Sequence, residues 1–291
     1  MPSDETTQKA SDGVASATAD VEREVIEQAR AWAEHETGLA GKAIDRVSSF
    51  SRRLVERVLD TERGQAAVRS TSQWLTQRLD TAVKDITSQP VVEGAAAQQA
   101  DLKRAVGRGD DAAQQVLVRY RRTLTVQGAI TGATSTNLLM AVGAVAADLA
   151  VSLSGLLRAA AETLAAYGEP GDNLRELAIA TVHLSGVQGA SDRSRGLLRT
   201  VRQEPPASVD DRVFGVLAEQ TGLRLVNESI EALVRRRAQH RAVSAVPLLG
   251  AATGGVTSAW MVDRTCRTAQ QVGRLRLLRR AGSLQPSRLT L

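Results

Sequence analysis

Covalent or acid–base catalysis needs a nucleophile, a base within reach of it and donors for developing charge. Residues able to fill those roles are few in this chain. The single cysteine, Cys266, has no nucleophile signature around it, and the three histidines, His35, His183 and His240, lie far apart with no acid beside them in a local motif. The G-x-S-x-G elbow is absent, as is the phosphate-binding G-x-x-x-x-G-K-[ST], and Gly107-Arg108-Gly109 lacks the third glycine of a dinucleotide fingerprint. Zinc-ligand spacings such as C-x2-C or H-E-x-x-H do not occur. No catalytic residue, metal or cofactor is therefore assigned. Asp148 is the acid that stands out, because it sits between two uncharged stretches where an ionised carboxylate is costly unless paired. It is expected to pair with an arginine such as Arg158 or to cap a kink; the sharper alternative is a polar core site of Asp148, Tyr167 and His183 for a proton or ligand. His183 reads more simply as a core or boundary histidine, and Tyr167 and Trp260 as packing or interface aromatics.

Arginine is the other chemistry-bearing residue, and its placement is uneven. Residues 1–36 hold nine acids against three bases, whereas Arg264 to Leu291 contains seven arginines and no acid. Basic clusters flank two uncharged runs: Arg119, Arg121 and Arg122 before the first, Arg235, Arg236, Arg237 and Arg241 before the second, and Arg264, Arg267, Arg274, Arg276, Arg279 and Arg280 after it. Such clusters suit anionic lipid headgroups, each arginine contributing on the order of 1 kcal/mol near a charged bilayer. A pI near 9.9 also raises nucleic acid as a partner. That reading is disfavoured, because aromatic residues for base stacking are only 2% of the chain and no helix-turn-helix or RNA-binding signature accompanies the arginines.

The elements that must carry these residues read as helices throughout. Sustained polar/apolar alternation is missing, as are Asn-Gly and Asp-Gly hairpin turns between β-branched runs. Residues 1–19 mix Ser, Thr, Asp and Ala without period and are expected to form a disordered acidic arm. Three amphipathic helices are expected over 20–90: one through Val21, Val25, Gln28 and Trp32, one through Ile44, Val47, Phe50, Leu54 and Val58, and one through Val68, Leu75, Leu79, Val83 and Ile86. A core domain over 91–281 follows. In it a helix is expected from about Asp110 to Thr125, with Asp110 or Asp111 as N-cap. The uncharged runs Val126–Ala147 (22 residues) and Ala242–Val262 (21 residues) have the length of membrane spans but are rich in Gly, Ala, Ser and Thr, which favours a packed helix pair. Gly128 and Gly132, and Gly250 and Gly254, form a G-x-x-x-G in each run that allows close backbone approach. Tyr167-Gly168 ends one helix, and Asp172 or Asn173 caps the next, which stops near Gly186 to Gly189. The polar stretch through Pro205-Pro206 reads as a surface loop, with Ser208-x-x-Asp211 opening a helix to about Gln239. Pro247 starts or kinks the second run, the last helix ends near Arg280, and 282–291 is a loose tail.

Three stretches together resemble the EcsC family, named for the third product of an ABC-transporter operon. They are the Gly/Ala-rich run from Gly128 ending in Asp148, the Tyr167-Gly168 helix end followed by a charged helix start, and Val246-Pro247-Leu248-Leu249-Gly250-Ala251, which is similar to the family's Ile-Pro-x-Gly-Ala element. The resemblance covers roughly residues 40–280, leaving the acidic arm and the arginine-rich tail outside. It implies a helical domain linked by name and gene neighbourhood to membrane transport and secretion, with no catalytic residue to carry over.

The expectation is thus an all-α multi-helix bundle with two Gly/Ala-rich segments at its centre. It is read as a non-enzymatic protein of the cytoplasm or the inner membrane face that binds anionic membrane lipid or a membrane protein complex. The alternatives are a soluble hydrolase-type enzyme with a dispersed site near Asp148 and a nucleic-acid-binding protein acting through its arginines. A single cysteine, which cannot form an internal disulfide, and the lack of a basic and apolar leader in residues 1–20 are the reasons for expecting the cytoplasm. Oligomeric state is left open.

Overall fold

Alanine, leucine and arginine favour helices, and so few aromatic side chains leave helix packing to small and aliphatic residues that let backbones come close. The computed structural model describes residues 4–34, 61–88, 102–134, 141–186, 190–202 and 247–284, with side chains of 4–15, 131–150, 247–254 and several positions in 63–88 outside the description. Seven helices and no strands occur among the described residues: α1 (Asp4–Glu34), α2 (Glu62–Ser88), α3 (Leu102–Thr134), α4 (Ala141–Ala166), α5 (Gly171–Ser185), α6 (Ala190–Arg202) and α7 (Pro247–Arg280).

The centre is built from α3, α4 and α7. Leu156, Leu157, Ala159, Ala160, Ala161, Thr163 and Leu164 bury most of the circumference of α4 over two turns, leaving Arg158 and Glu162 on the remaining strip. On α7 the buried positions Val262, Cys266, Ala269, Val272, Leu275 and Leu278 meet it. Helix α3 runs antiparallel to α7: Gly109 stands opposite Gly273 with Tyr167 between them, and eighteen residues earlier on α7 Gly255 stands against Thr125 and Ala129. Helix α4 runs parallel to α7, with Gly155 against Leu124 and Tyr167 at the Gly109–Gly273 level. Helices α1, α2, α5 and α6 cover this trio. Helix α1 contributes the stripe Val21, Val25, Ala29 and Ala33, and α2 contributes Leu75, Ala82 and Ile86. Asp80 of α2 pairs with Arg175 of α5 at 3.0 Å, and Ser185 of α5 meets Thr265 of α7 at 3.2 Å.

Several boundaries differ from the sequence reading. The stretch expected as a disordered arm is helical from Asp4, its Ala-rich sequence continuing α1 toward an acidic first turn that suits the helix dipole. Helix α3 begins at Leu102, so Asp110 lies inside a helix and caps nothing; Gly107 and Gly109 looked like a break but are helical. The run 126–147 is divided between the end of α3 and the start of α4, and α7 joins the second run and the last helix in one rod from Pro247. Among the described residues no helix is long and apolar enough to cross a membrane. Pro170 rather than Asp172 or Asn173 is the N-cap of α5, with no side-chain capping bond, while the helix ends at Gly186 as expected. Helix α6 replaces part of the expected loop before Pro205: its inner face is Arg193, Ser194, Leu197, Thr200 and Val201, too polar to show as an apolar stripe. The helix expected through Ile44 to Val58, the Ser208–Gln239 helix, and Arg235, Arg236, Arg237 and Arg241 lie outside the described residues, as does the tail beyond Leu284.

Two helix ends share one geometry. After α4, Gly168 has φ +74°, its N–H reaches Ala165 O at 2.8 Å, and Glu169 N–H reaches Leu164 O at 3.3 Å. After α7, Gly282 has φ +72°, its N–H reaches Arg279 O at 3.0 Å, and Ser283 N–H reaches Leu278 O at 3.1 Å. Both are Schellman ends, in which a left-handed glycine reverses the chain and satisfies the last carbonyls.

A Cβ at Gly109 would fall 2.5 Å from the Tyr167 ring, whereas one at Gly107, on the same helix, would meet nothing within 4 Å. Gly109→Ala is therefore expected to destabilise the fold by roughly 1–3 kcal/mol through overpacking. Gly107→Ala is expected to raise stability by roughly 0.5–1 kcal/mol through helix propensity alone. Opposite-signed shifts in the denaturant midpoint would verify that Tyr167 sets the distance.

Candidate functional site

The polar residues worth attention converge on the end of the bundle where α4 stops. Tyr167 is only 2% exposed, its ring held between the backbones of α3 and α7. Its hydroxyl donates to Asp110 Oδ1 at 2.5 Å, and the same oxygen accepts Arg274 Nε at 2.7 Å and Gln270 Nε2 at 3.2 Å. Arg274 also donates to Gln28 Oε1, which ties α1 to the cluster. Burial alone would push the Asp110 carboxyl up, but the bonds from Arg274 and Tyr167 and the charge of Arg274 hold it below its ordinary value. The Tyr167 phenol is raised, first by burial and then by its bond to the Asp110 carboxylate, so it remains a proton donor.

One turn further on, Glu169 has a side chain 1% exposed, and its two oxygens are divided between Arg276 Nη2 at 2.5 Å and Arg280 Nη1. Further donors of these arginines, and one of Arg279, go to helix ends. Arg280 Nη2 reaches Tyr167 O at 2.6 Å, Arg276 Nη1 reaches Thr200 O at 3.4 Å and Arg279 Nη1 reaches Val201 O at 2.7 Å. Arg193 Nε likewise reaches Ala33 O at 2.8 Å. The C-termini of α1, α4 and α6, where carbonyls lack intrahelical partners and the helix dipole is negative, are thus each met by a guanidinium.

A third group lies at mid-height. Glu162 Oε1 accepts Tyr120 OH at 2.7 Å and Arg158 Nε at 3.0 Å, and its other oxygen pairs with Arg119. The bond to Glu162 raises the Arg158 guanidinium, and burial followed by Glu162 raises the Tyr120 phenol. Cys266, buried near Thr163, has its thiol pushed up to about 12 by burial, which leaves it a protonated packing residue.

The arginines expected to face lipid therefore divide. Arg274 and Arg276 are interior, at 9% and 6% exposure, and Arg279 and Arg280 are committed to Val201 O and Glu169. Arg264 lies over the Trp260 ring at 5.2 Å, and exposed Arg267 pairs with Asp263 at 2.9 Å. Arg119, Arg121 and Arg122 are exposed on α3, Arg119 stretching to Glu162 and lying over the Tyr120 ring at 5.3 Å. The proposed grouping of Asp148, Tyr167 and His183 is not what surrounds Tyr167, whose hydroxyl bonds to Asp110, which Gln270 and Arg274 bind in turn. His183, expected at the core or its boundary, is exposed in the last turn of α5, because the buried face of that helix is taken by Thr181, Val182, Leu184 and Ser185. Asp148 lies on α4 with its side chain outside the description, and its expected partner Arg158 pairs with Glu162. Gly128 is buried on α3, while the side chains around Gly132, Gly250 and Gly254 are not described; the close α3–α7 approach is seen at Gly255. Among the described residues no group of three or more His, Cys, Asp or Glu could hold a metal ion.

Among the described residues the fold and this framework define an all-α bundle whose interior carboxylates Asp110, Glu162 and Glu169 are bound by arginine. The sequence matches the EcsC protein family over residues 22–278, so the chain belongs to that family. The match starts earlier than the resemblance read from motifs, within α1, and ends at residue 278, close to where that resemblance ends. Comparison with curated proteins and with solved structures gives no match.

Two substitutions test the framework. Glu169→Gln leaves Arg276 buried beside a neutral amide, and a loss of roughly 3–5 kcal/mol in unfolding free energy is expected from denaturant titration. Asp110 titrates lower folded than unfolded, so its stabilisation is complete above the unfolded value near 3.9 and disappears as pH falls through the folded value. Melting curves between pH 7 and pH 2 are expected to show a smaller acid-dependent loss in Asp110→Asn than in the parent chain, with lower stability at pH 7.

Proposed function

We propose that this EcsC-family chain is a non-catalytic protein that associates peripherally with an anionic membrane surface. The observation that carries the reading is the solvent face of α3. Its exposed charged residues are Lys103, Arg104, Arg108, Arg119, Arg121 and Arg122 against one exposed acid, Asp111, while the second acid of that helix, Asp110, is turned inward to Tyr167 and Arg274. A helix that keeps its bases outside and its buried acid inside presents one sign of charge to a partner, and such a row draws a polyanionic surface over the range of a Debye length. Snorkelling stems let the same side chains lie along apolar material. The arginines on the last turns of α7 hold helix ends together, whereas Arg121 and Arg122 of α3 face solvent.

An enzymatic reading would draw on an interior carboxylate free to exchange a proton. Asp110, Glu162 and Glu169 are instead engaged by Arg274, by Arg119 and Arg158, and by Arg276 and Arg280.

Co-flotation with vesicles tests the proposal. Binding is expected to vesicles of phosphatidylcholine with phosphatidylglycerol and not to phosphatidylcholine alone, and to weaken as salt rises. Charge reversal at the exposed pair Arg121→Glu/Arg122→Glu is expected to lower the partition coefficient by more than about tenfold, since each surface arginine contributes on the order of 1 kcal/mol. Equal binding to neutral and anionic vesicles, or none to either, would overturn it.

A further inference from the structure

Among the described residues the five exposed large aliphatics are not scattered. Val118, Val126 and Ile130 are on α3 at 40%, 60% and 61% exposure, Val151 is on α4 at 44%, and Val256 is on α7 at 58%. Gly255 against Thr125 and Ala129 fixes the register of the antiparallel pair, and Gly155 against Leu124 fixes that of α4. Val126, Val151 and Val256 therefore lie at nearly one level on three helices, with Ile130 a turn beyond and Val118 two turns behind. Exposed aliphatics from separate elements at one end of a bundle mark a contact surface rather than chance exposure.

The same register orders what lies on either side of that level. Beyond it, α3 continues through residues 127–134 and α7 reaches back through 247–255 with no ionisable side chain; α4 adds 141–147, followed by Asp148, the one ionisable residue between Val126 and Leu157. Eight or nine helical residues extend roughly 12–14 Å, close to half of a hydrocarbon core about 30 Å thick. Behind the level, Trp260 is about even with Arg122 across the α3–α7 pair. Arg264 lies over the Trp260 ring, and Arg119, Arg121 and Arg267 stand within a turn or two. A tip whose one ionisable residue is Asp148 at its base, then a half-buried tryptophan, then arginines is the order of environments met on going from acyl chains through headgroups to water.

We infer that the bundle docks end-on, seating the tips of α3, α4 and α7 in one leaflet of an anionic bilayer, with Trp260 at headgroup level and Arg119, Arg121, Arg122 and Arg264 among the phosphates. The inference rests on the peripheral-membrane reading and adds an orientation and a depth to it. It differs from a side-on arrangement, in which α3 would lie flat and Lys103, Arg104 and Arg108 would touch the surface together with Arg122.

Two labels on one helix separate the arrangements. Ile130 and Arg108 are both exposed on α3, about 33 Å apart along its axis, and Cys266 is buried, so Ile130→Cys and Arg108→Cys can each carry a single environment-sensitive fluorophore in the full chain. On vesicles of phosphatidylcholine with phosphatidylglycerol, the label at 130 is expected to shift to the blue and to be quenched by lipids brominated along the acyl chain, and the label at 108 to do neither. Val126→Asp/Ile130→Asp, at positions exposed enough to spare the fold, is expected to lower partitioning at least about tenfold, through the loss of aliphatic burial and the added charge. Equal responses at 130 and 108, co-flotation with no response at 130, or undiminished binding of the double aspartate variant would overturn end-on insertion while leaving surface association standing. Failure of the parent chain to float with anionic vesicles would remove both.

Discussion

The Tyr167 ring, lying between the backbones of α3 and α7, is the contact on which the rest of the bundle depends. Glycine at 109 and 273 brings the two helices against both faces of the ring, and any side chain there would drive them apart. The ring is also the last residue before the left-handed turn at Gly168, so the place where α4 stops and the place where α3 and α7 meet are one place. Its hydroxyl reaches Asp110, Asp110 binds Arg274, and Arg274 reaches Gln28, which carries the constraint outward to α1 through hydrogen bonds. A phenylalanine would fill the slot and leave the Asp110 carboxylate one donor short.

Interior charge follows from that arrangement. Three helices end within the bundle, and each presents carbonyls with no partner of their own. Arginine suits these sites because its fork of donors can bind a carboxylate and a carbonyl together, as Arg280 does with Glu169 and Tyr167 O. Lysine would offer a point charge and one contact at a time. Glu169 in turn keeps two guanidinium groups from facing each other uncompensated across the ends of α4 and α6. The positive excess at the end of α7 is thus largely used within the fold, whereas most of the bases of α3 face solvent.

What could be read in advance was what local chemistry determines. The all-helical class, the glycine stop after Tyr167, the stop at Gly186, the start at Pro247 and the end at Arg280 each follow from residues adjacent to the feature itself. What could not be read depended on partners distant in sequence. Asp110 looked like an N-cap because acids beside glycines usually are; only the arrival of Tyr167 and Arg274, 57 and 164 positions later, gives it a place inside a helix. Helix α6 was hidden because its inward face is closed by Arg193, Ser194 and Thr200, whose burial makes sense only beside the end of α1 and the arginines of α7. Arg274 and Arg276 were taken for surface charges on composition, which cannot distinguish a solvated arginine from one that finds a carboxylate and a carbonyl inside. An alternating signal was present: Val272, Leu275 and Leu278 share the helix with them, and a helix that buries those positions and also lies between α3 and α6 has little outer face left.

The separation between the two walls of the tyrosine slot also has a bearing on how the chain is made. Gly109 and Gly273 are 164 residues apart, which at 5–20 residues per second puts roughly ten to thirty seconds of synthesis between them. Until α7 emerges, Tyr167 has one wall, Asp110 lacks its guanidinium, and the apolar face of α4 that meets α7 has no cover. A nascent chain in that condition keeps apolar surface in water until one late helix covers it.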